Sequence, residues 1–242
     1  MSEFSLRGEN LHLWRGERHV LRGVHLAVGS GEVLQVTGTN GAGKTSLLRL
    51  LCGLLQPEEG RVLWGGVDVR ADPALLQANC LYLGHEPPLK ADLTAAENLH
   101  YWIGLRRRLN PSALREALTV VGVEEAAARP VRTLSAGQRR RVALAALLLG
   151  AAPLWLLDEP TTNLDAGGQA LLGRLIDAHL GRGGLAVAAV HHPLQVRPGR
   201  LRQLALEAAS APSAAGLEAE AAGTSAVAVR PHGAAALPYG ES

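Results

Sequence analysis

The stretch that decides the fold reads Val33-Leu34-Gln35-Val36-Thr37-Gly38-Thr39-Asn40-Gly41-Ala42-Gly43-Lys44-Thr45-Ser46-Leu47-Leu48. Its first five residues form a short apolar run, the pattern of a strand buried on both faces. The next eight fit G-x-x-x-x-G-K-[ST]. Glycines let the backbone curl so that successive N–H groups point inward at phosphate oxygens. A helical apolar run over 45–52 follows, with Gly53 placed just past its end. That helix turns the positive end of its dipole toward the same anion. The reading predicts a nucleoside triphosphate held by Gly38, Thr39, Asn40, Gly41, Ala42, Gly43, Lys44 and Thr45. Lys44 reaches the β- and γ-phosphates as a point charge, and the Thr45 hydroxyl ligates Mg²⁺. Only Lys44 and Lys90 are lysines in a chain whose basic residues are otherwise arginine.

Working outward, strands and helices alternate. Residues 20–36 alternate around Gly29-Ser30-Gly31, which predicts a hairpin. Strands are expected over 61–64, 80–83, 154–157 and 185–190, and a helix over 169–180 ending at Gly181. Between 94 and 149 the period is helical throughout. Thr94 and Glu97 form a capping box, Pro111 opens a helix that Gly122 stops, and Ser135 precedes a helix to Leu149. This order predicts an α/β fold, a mostly parallel sheet covered on both faces and interrupted by a helical subdomain over about 94–149. Residues 1–208 are read as one nucleotide-binding domain. Residues 209–242, rich in Ala, Gly, Ser and Pro, are read as a disordered tail.

Leu154-Trp155-Leu156-Leu157-Asp158-Glu159 is an apolar strand ending in two carboxylates. Ligands in such sheets bind at the carboxyl ends of strands. Asp158 is expected in the Mg²⁺ shell, and Glu159 as the general base that polarises the attacking water.

Leu134-Ser135-Ala136-Gly137-Gln138 lies between these motifs and opens a helix, offering a hydroxyl, bare amides and a dipole to an anion. It closely resembles the LSGGQ signature of ABC-type ATPases. The resemblance implies a P-loop NTPase fold with a mostly parallel sheet, an antiparallel β subdomain and a helical signature subdomain. It also implies a head-to-tail homodimer in which Ser135, Ala136, Gly137 and Gln138 of one copy complete the ATP site on the phosphate loop of the other. Asp165, in Asn163-Leu164-Asp165, looks like the D-loop that crosses the seam. His191 looks like the switch histidine that contacts the γ-phosphate, and Trp14 like the aromatic platform for adenine. Ala136 stands where the family carries glycine. In Tyr82-Leu83-Gly84-His85-Glu86, His85 stands at the Q-loop position, where the family carries glutamine.

The departures narrow the resemblance. The His85 segment, with Leu89-Lys90, Leu93-Thr94, Glu97-Asn98-Leu99 and His191-His192-Pro193-Leu194, is similar to the ATP-binding subunits of the haem exporter of cytochrome c maturation. That resemblance covers about residues 3–207. It implies a peripheral subunit on the cytoplasmic face of a bacterial inner membrane, paired with separately encoded transmembrane subunits. There ATP hydrolysis would drive release of a haem-loaded chaperone. An ABC exporter for another cargo stays open.

Composition bounds the alternatives. A net charge of +2 gives no nucleic-acid signal. A soluble ABC-type ATPase acting on nucleic acid or ribosomes would usually show a second phosphate loop, sustained heptads or a cysteine cluster. A nucleotide-binding regulator without turnover would not need Glu159. The longest apolar run, 142–157, is shorter than a membrane span of about 20 residues and is broken by Gly150 and Pro153. Any membrane association is expected through partners. Cys52 and Cys80 are read as small core residues in a reducing compartment. The runs Arg106-Arg107-Arg108 and Arg139-Arg140-Arg141 are read as solvated helix faces, the first near a membrane partner.

Overall fold

The computed structural model describes residues 4–207 and the backbone of Arg230–Pro231. The tail expected over 209–242 lies outside the described residues, apart from that pair. The chain opens with β1 (Ser5–Arg15) and β2 (Arg18–Gly29), joined by a tight turn, and then forms β3 (Val33–Thr37) and α1 (Lys44–Leu51). β4 (Glu59–Trp64), β5 (Val67–Asp68), α2 (Pro73–Asn79) and β6 (Cys80–Leu83) follow. Three helices come next: α3 (Ala95–Gly104), α4 (Pro111–Val120) and α5 (Ala136–Gly150). β7 (Leu154–Asp158), α6 (Ala166–Gly181), β8 (Leu185–Ala189) and β9 (Leu201–Ala205) complete the main body, and β10 (Arg230–Pro231) pairs with β9.

Two sheets result. One is antiparallel, in the order β2-β1-β4-β5. The other runs β10-β9-β3-β8-β7-β6 and is parallel except at β10. The hairpin expected over 20–36 is therefore wrong. β2 alternates buried and exposed positions and takes β1 as its antiparallel partner. β3 is buried at four of its five positions and belongs to the parallel sheet. A half-solvated strand and one covered on both faces belong to different layers, however short the link between them.

The parallel sheet separates two cores by the period of two that a strand imposes. Leu154 and Leu156 of β7 pack on the side of α1, with Leu47, Leu48 and Leu51. Trp155 and Leu157 face the other way, against residues of α5 and α6 such as Leu144 and Ile176. β8 divides likewise, Leu185 and Val187 to the first core, Ala186 and Ala188 to the second. β3, β7 and β8 thus end side by side with their carboxyl termini at one edge.

The helix caps follow local chemistry. Thr94 and Glu97 make the expected capping box, Gly53 and Gly122 take positive φ just past α1 and α4, and Pro111 sits at the start of α4. α6 starts before the expected position because Asp165 caps it. Cys52 and Cys80 are both free thiols. Cys80 is buried and Cys52 is half-buried at the end of α1. Among the described residues no helix is long and apolar enough to cross a membrane.

Candidate ATP site

The loop from β3 to α1 closes a cleft of about 480 Å³, lined by Asn40, Gly41, Lys44, Thr45, Glu159 and His191, with Arg15 and Arg18 from the β1–β2 hairpin. That volume falls in the range of small-molecule sites, about 300–1,000 Å³. Two glycines are required by contact. A Cβ on Gly38 would meet the Leu206 carbonyl, and one on Gly43, at φ +96°, would lie 2.8 Å from Val20 Cγ1. The loop therefore nests against both sheets. No side chain caps α1 at Gly43, so its first amides face the cleft. Lys44, only 7% exposed, donates from Nζ to the carbonyls of Gly38 (2.8 Å) and Thr39 (3.2 Å). Arg18 donates to the Gly41 carbonyl at 3.0 Å and braces the loop from the antiparallel sheet.

Asp158, at the end of β7, is buried. Thr45 Oγ1 donates to its Oδ1 at 3.1 Å, and the Tyr82 hydroxyl donates to Oδ2 at 3.4 Å. Burial, reinforced by the charge of Asp158, raises the Tyr82 phenol and keeps it a donor. The Thr45 hydroxyl and the Asp158 carboxylate are hard oxygen ligands side by side. They fit Mg²⁺, which takes one or two protein oxygens beside phosphates and waters.

Glu159 follows in the left-handed region, at φ +46°. Its Oε1 lies 2.8 Å from His191 Nε2, and its Oε2 lies 3.3 Å from His85 Nδ1. The carboxylate stands between two imidazoles. Partial desolvation pushes its proton affinity up. The hydrogen bond and charge of His191, with the charges of His85 and Lys44, outweigh this and hold Glu159 below the usual carboxylate range.

Ser135 and Gln138 make a reciprocal capping box on α5. Ser135 Oγ accepts from the Gln138 amide at 3.1 Å, and Gln138 Oε1 accepts from the Ser135 amide at 2.9 Å. None of Ser135, Ala136, Gly137 and Gln138 lines the Lys44 cleft. Ala136 lines a second cleft of about 350 Å³ with His85, Arg139, Arg140 and Asn163. Asp165 caps α6 through Gly168, and this bond, with that to Arg141, lowers its carboxyl. Trp14 is absent from the cleft lining. Its indole stacks on His19 at 3.8 Å between centroids, nearly parallel at 8°. The next residue, Arg15, lines the cleft instead.

The second basic run is not a solvated face. Arg140 is 2% exposed, and its guanidinium donates to the carbonyls of Gly84, His85, Asp158, Glu159 and Pro160. The triple arginine looked uniform in sequence, but its middle member points into the molecule. In the first run Arg106 stays exposed and donates to the Cys80 carbonyl at 2.6 Å. Tyr82, Arg15 and Arg18 were also missed. Tyr82 lies in the segment compared with the Q-loop, yet no local pattern marks it as a partner of Asp158.

An apolar parallel sheet, a glycine loop feeding a helix, and paired carboxylates at the end of β7, two strands away from β3, define a P-loop nucleotide-binding fold. The family model for ABC transporters matches residues 21–162, and the chain belongs to that family. The cytochrome c biogenesis ATP-binding export protein CcmA of Methylococcus capsulatus is 46% identical over 198 residues, 81% of this chain and 96% of that one. The protein of the same name in Rhodopseudomonas palustris is 45% identical over 197 residues, 81% of this chain and 96% of that one. Among solved structures, a dimeric post-hydrolysis state of the ATP-binding cassette MJ0796 with ADP and Pi is similar, at a TM-score of 0.72 and 25% identity. That likeness spans 84% of this chain and 95% of the other.

Proposed function

We propose that this chain is the ATP-hydrolysing subunit of a membrane export complex of cytochrome c maturation, acting on separately encoded transmembrane subunits from the cytoplasmic face of the inner membrane. The observation that carries the cargo reading is identity near one half with export proteins of cytochrome c biogenesis over almost their whole length. The convergence of Lys44, Thr45, Asp158 and Glu159 at one sheet edge supports the ATPase reading. Lys44 and the loop amides bind the triphosphate. Thr45 and Asp158 hold Mg²⁺, which when bound neutralises charge on the phosphate oxygens. Glu159 accepts the proton of the attacking water, and His191 orients its carboxylate. His85 takes the Q-loop position. Ser135, Ala136, Gly137 and Gln138 meet the triphosphate on a second copy, with Asp165 near the seam and Trp14 toward the base.

The cargo reading is tested in a strain lacking this gene. Holo-cytochrome c, followed by its covalent haem, is expected to vanish, to return with the wild-type gene and not with Glu159→Gln. Normal holo-cytochrome c in the deletion strain would sink the cargo reading and leave an ABC ATPase for another cargo.

The pH dependence has a definite sign. A carboxylate with a lowered folded-state pKa contributes stability that is present above its unfolded value and lost as pH falls through its folded value. The same shift keeps Glu159 ionised, and so able to accept a proton, into the acid range. His191→Ala removes the main lowering influence. The acid limb of the kcat profile is therefore expected to move to higher pH. An acid limb that stays in place shows that His191 does not set the ionisation of Glu159.

A further inference from the structure

We propose that Arg140 is a positioning residue for the Glu159 carboxylate, a role that rests on reading Glu159 as the general base. The guanidinium is buried, and its donors meet only main-chain carbonyls: Pro160 at 3.1 Å, Gly84 at 3.1 Å, His85 at 3.2 Å, Asp158 at 3.2 Å and Glu159 at 2.6 Å. None of the ion pairs among the described residues includes it. The charges of Asp158 and Glu159 act on the guanidinium, but burying a cation that hydrogen-bonds to no carboxylate is costly, and filling the same volume with an apolar side chain would often serve stability as well. What an apolar side chain cannot do is grip two segments at once. A planar fork of five donors can.

The two segments are the ones that meet at the carboxylate. On one side Arg140 holds the carbonyls of Asp158, Glu159 and Pro160, around a residue at φ +46°. A left-handed non-glycine residue persists only where its surroundings over-determine it. Here the Glu159 amide donates to the Ala189 carbonyl at 2.9 Å, Thr162 donates to the Glu159 carbonyl at 3.1 Å, and Arg140 adds the shortest bond. On the other side Arg140 holds the carbonyls of Gly84 and His85, and the His85 ring touches Glu159 Oε2. One guanidinium thus fixes the backbone of the base and the backbone of a histidine that contacts it. Arg140 rides on α5, the helix that Ser135 caps, so a shift of that helix or of the 84–85 segment reaches Glu159 through it.

The test is steady-state ATP hydrolysis by the full chain carrying Arg140→Lys, which keeps the charge but not the fork, and Arg140→Met, which keeps the volume alone. Both are expected to fold, to lower kcat at least tenfold, and to leave KM for ATP within about twofold. In a Glu159→Gln background Arg140→Lys is expected to change nothing further. A wild-type kcat in both variants overturns the proposal. So does an equal fractional loss with and without the Glu159 carboxylate, which would place the effect of Arg140 elsewhere. Unfolding of both variants assigns Arg140 to stability and overturns it too. Wild-type turnover in Glu159→Gln alone would instead remove the reading of the base, whatever Arg140 does.

Discussion

Lys44→Ala is expected to weaken MgATP binding by on the order of a hundredfold and to remove measurable hydrolysis. A hydrogen bond to a charged group is worth about 1.5–3 kcal/mol, and the role proposed for Lys44 gives it two, to β- and γ-phosphate oxygens, so the loss compounds. The substitution also strips donors from the carbonyls of Gly38 and Thr39. A modest loss of stability, about 1–2 kcal/mol, should accompany it. Nucleotide titration and a urea melt on the same preparation separate the two effects. A large loss of affinity with a small loss of stability is the expected pattern. Unchanged affinity would detach the glycine loop from nucleotide binding and undo the functional reading.

Glu159→Gln is expected to lower turnover by about 10²–10⁴, the range for general-base catalysis, while ATP still binds. The amide matches the carboxylate in shape and accepts from His191, so the cleft geometry should survive. It cannot take a proton from water. It also removes a negative charge that stands beside Lys44 in the cleft, so ATP affinity should hold or rise. Single-turnover hydrolysis and nucleotide binding, measured together, check both halves. Hydrolysis at the wild-type rate would show that another group activates the water.

The sequence disclosed the parts of this site that are local. A glycine loop between a strand and a helix, a carboxylate pair at a strand end and a serine before a helix are each written in consecutive residues. The structure brings Lys44, Thr45, Asp158, Glu159 and His191 together because β3, β7 and β8 are neighbours in the sheet. What stayed hidden depends on which strands become neighbours and which way a side chain turns. Arg140 reads as one of three equivalent arginines until α5 packs and buries its middle member. Arg18 reaches the loop only because β2 folds onto β1, whereas the alternation around Gly29 suggested a hairpin with β3. The contact of His85 with Glu159 needs β6 beside β7. Trp14 stacks on His19 because the pairing of β1 with β2 sets the two residues opposite each other, a contact that no local pattern announces.

The central claim is that the loop around Lys44 and the serine-capped start of α5 close on one triphosphate from two copies of the chain. The signature residues lie outside the Lys44 cleft of their own chain, as that arrangement requires. Sedimentation of Glu159→Gln with and without MgATP measures it directly. The expected result is a monomer that becomes a dimer on adding MgATP, and a Ser135→Arg/Glu159→Gln double variant that binds ATP yet stays monomeric. A double variant that dimerises as readily as Glu159→Gln would contradict the claim.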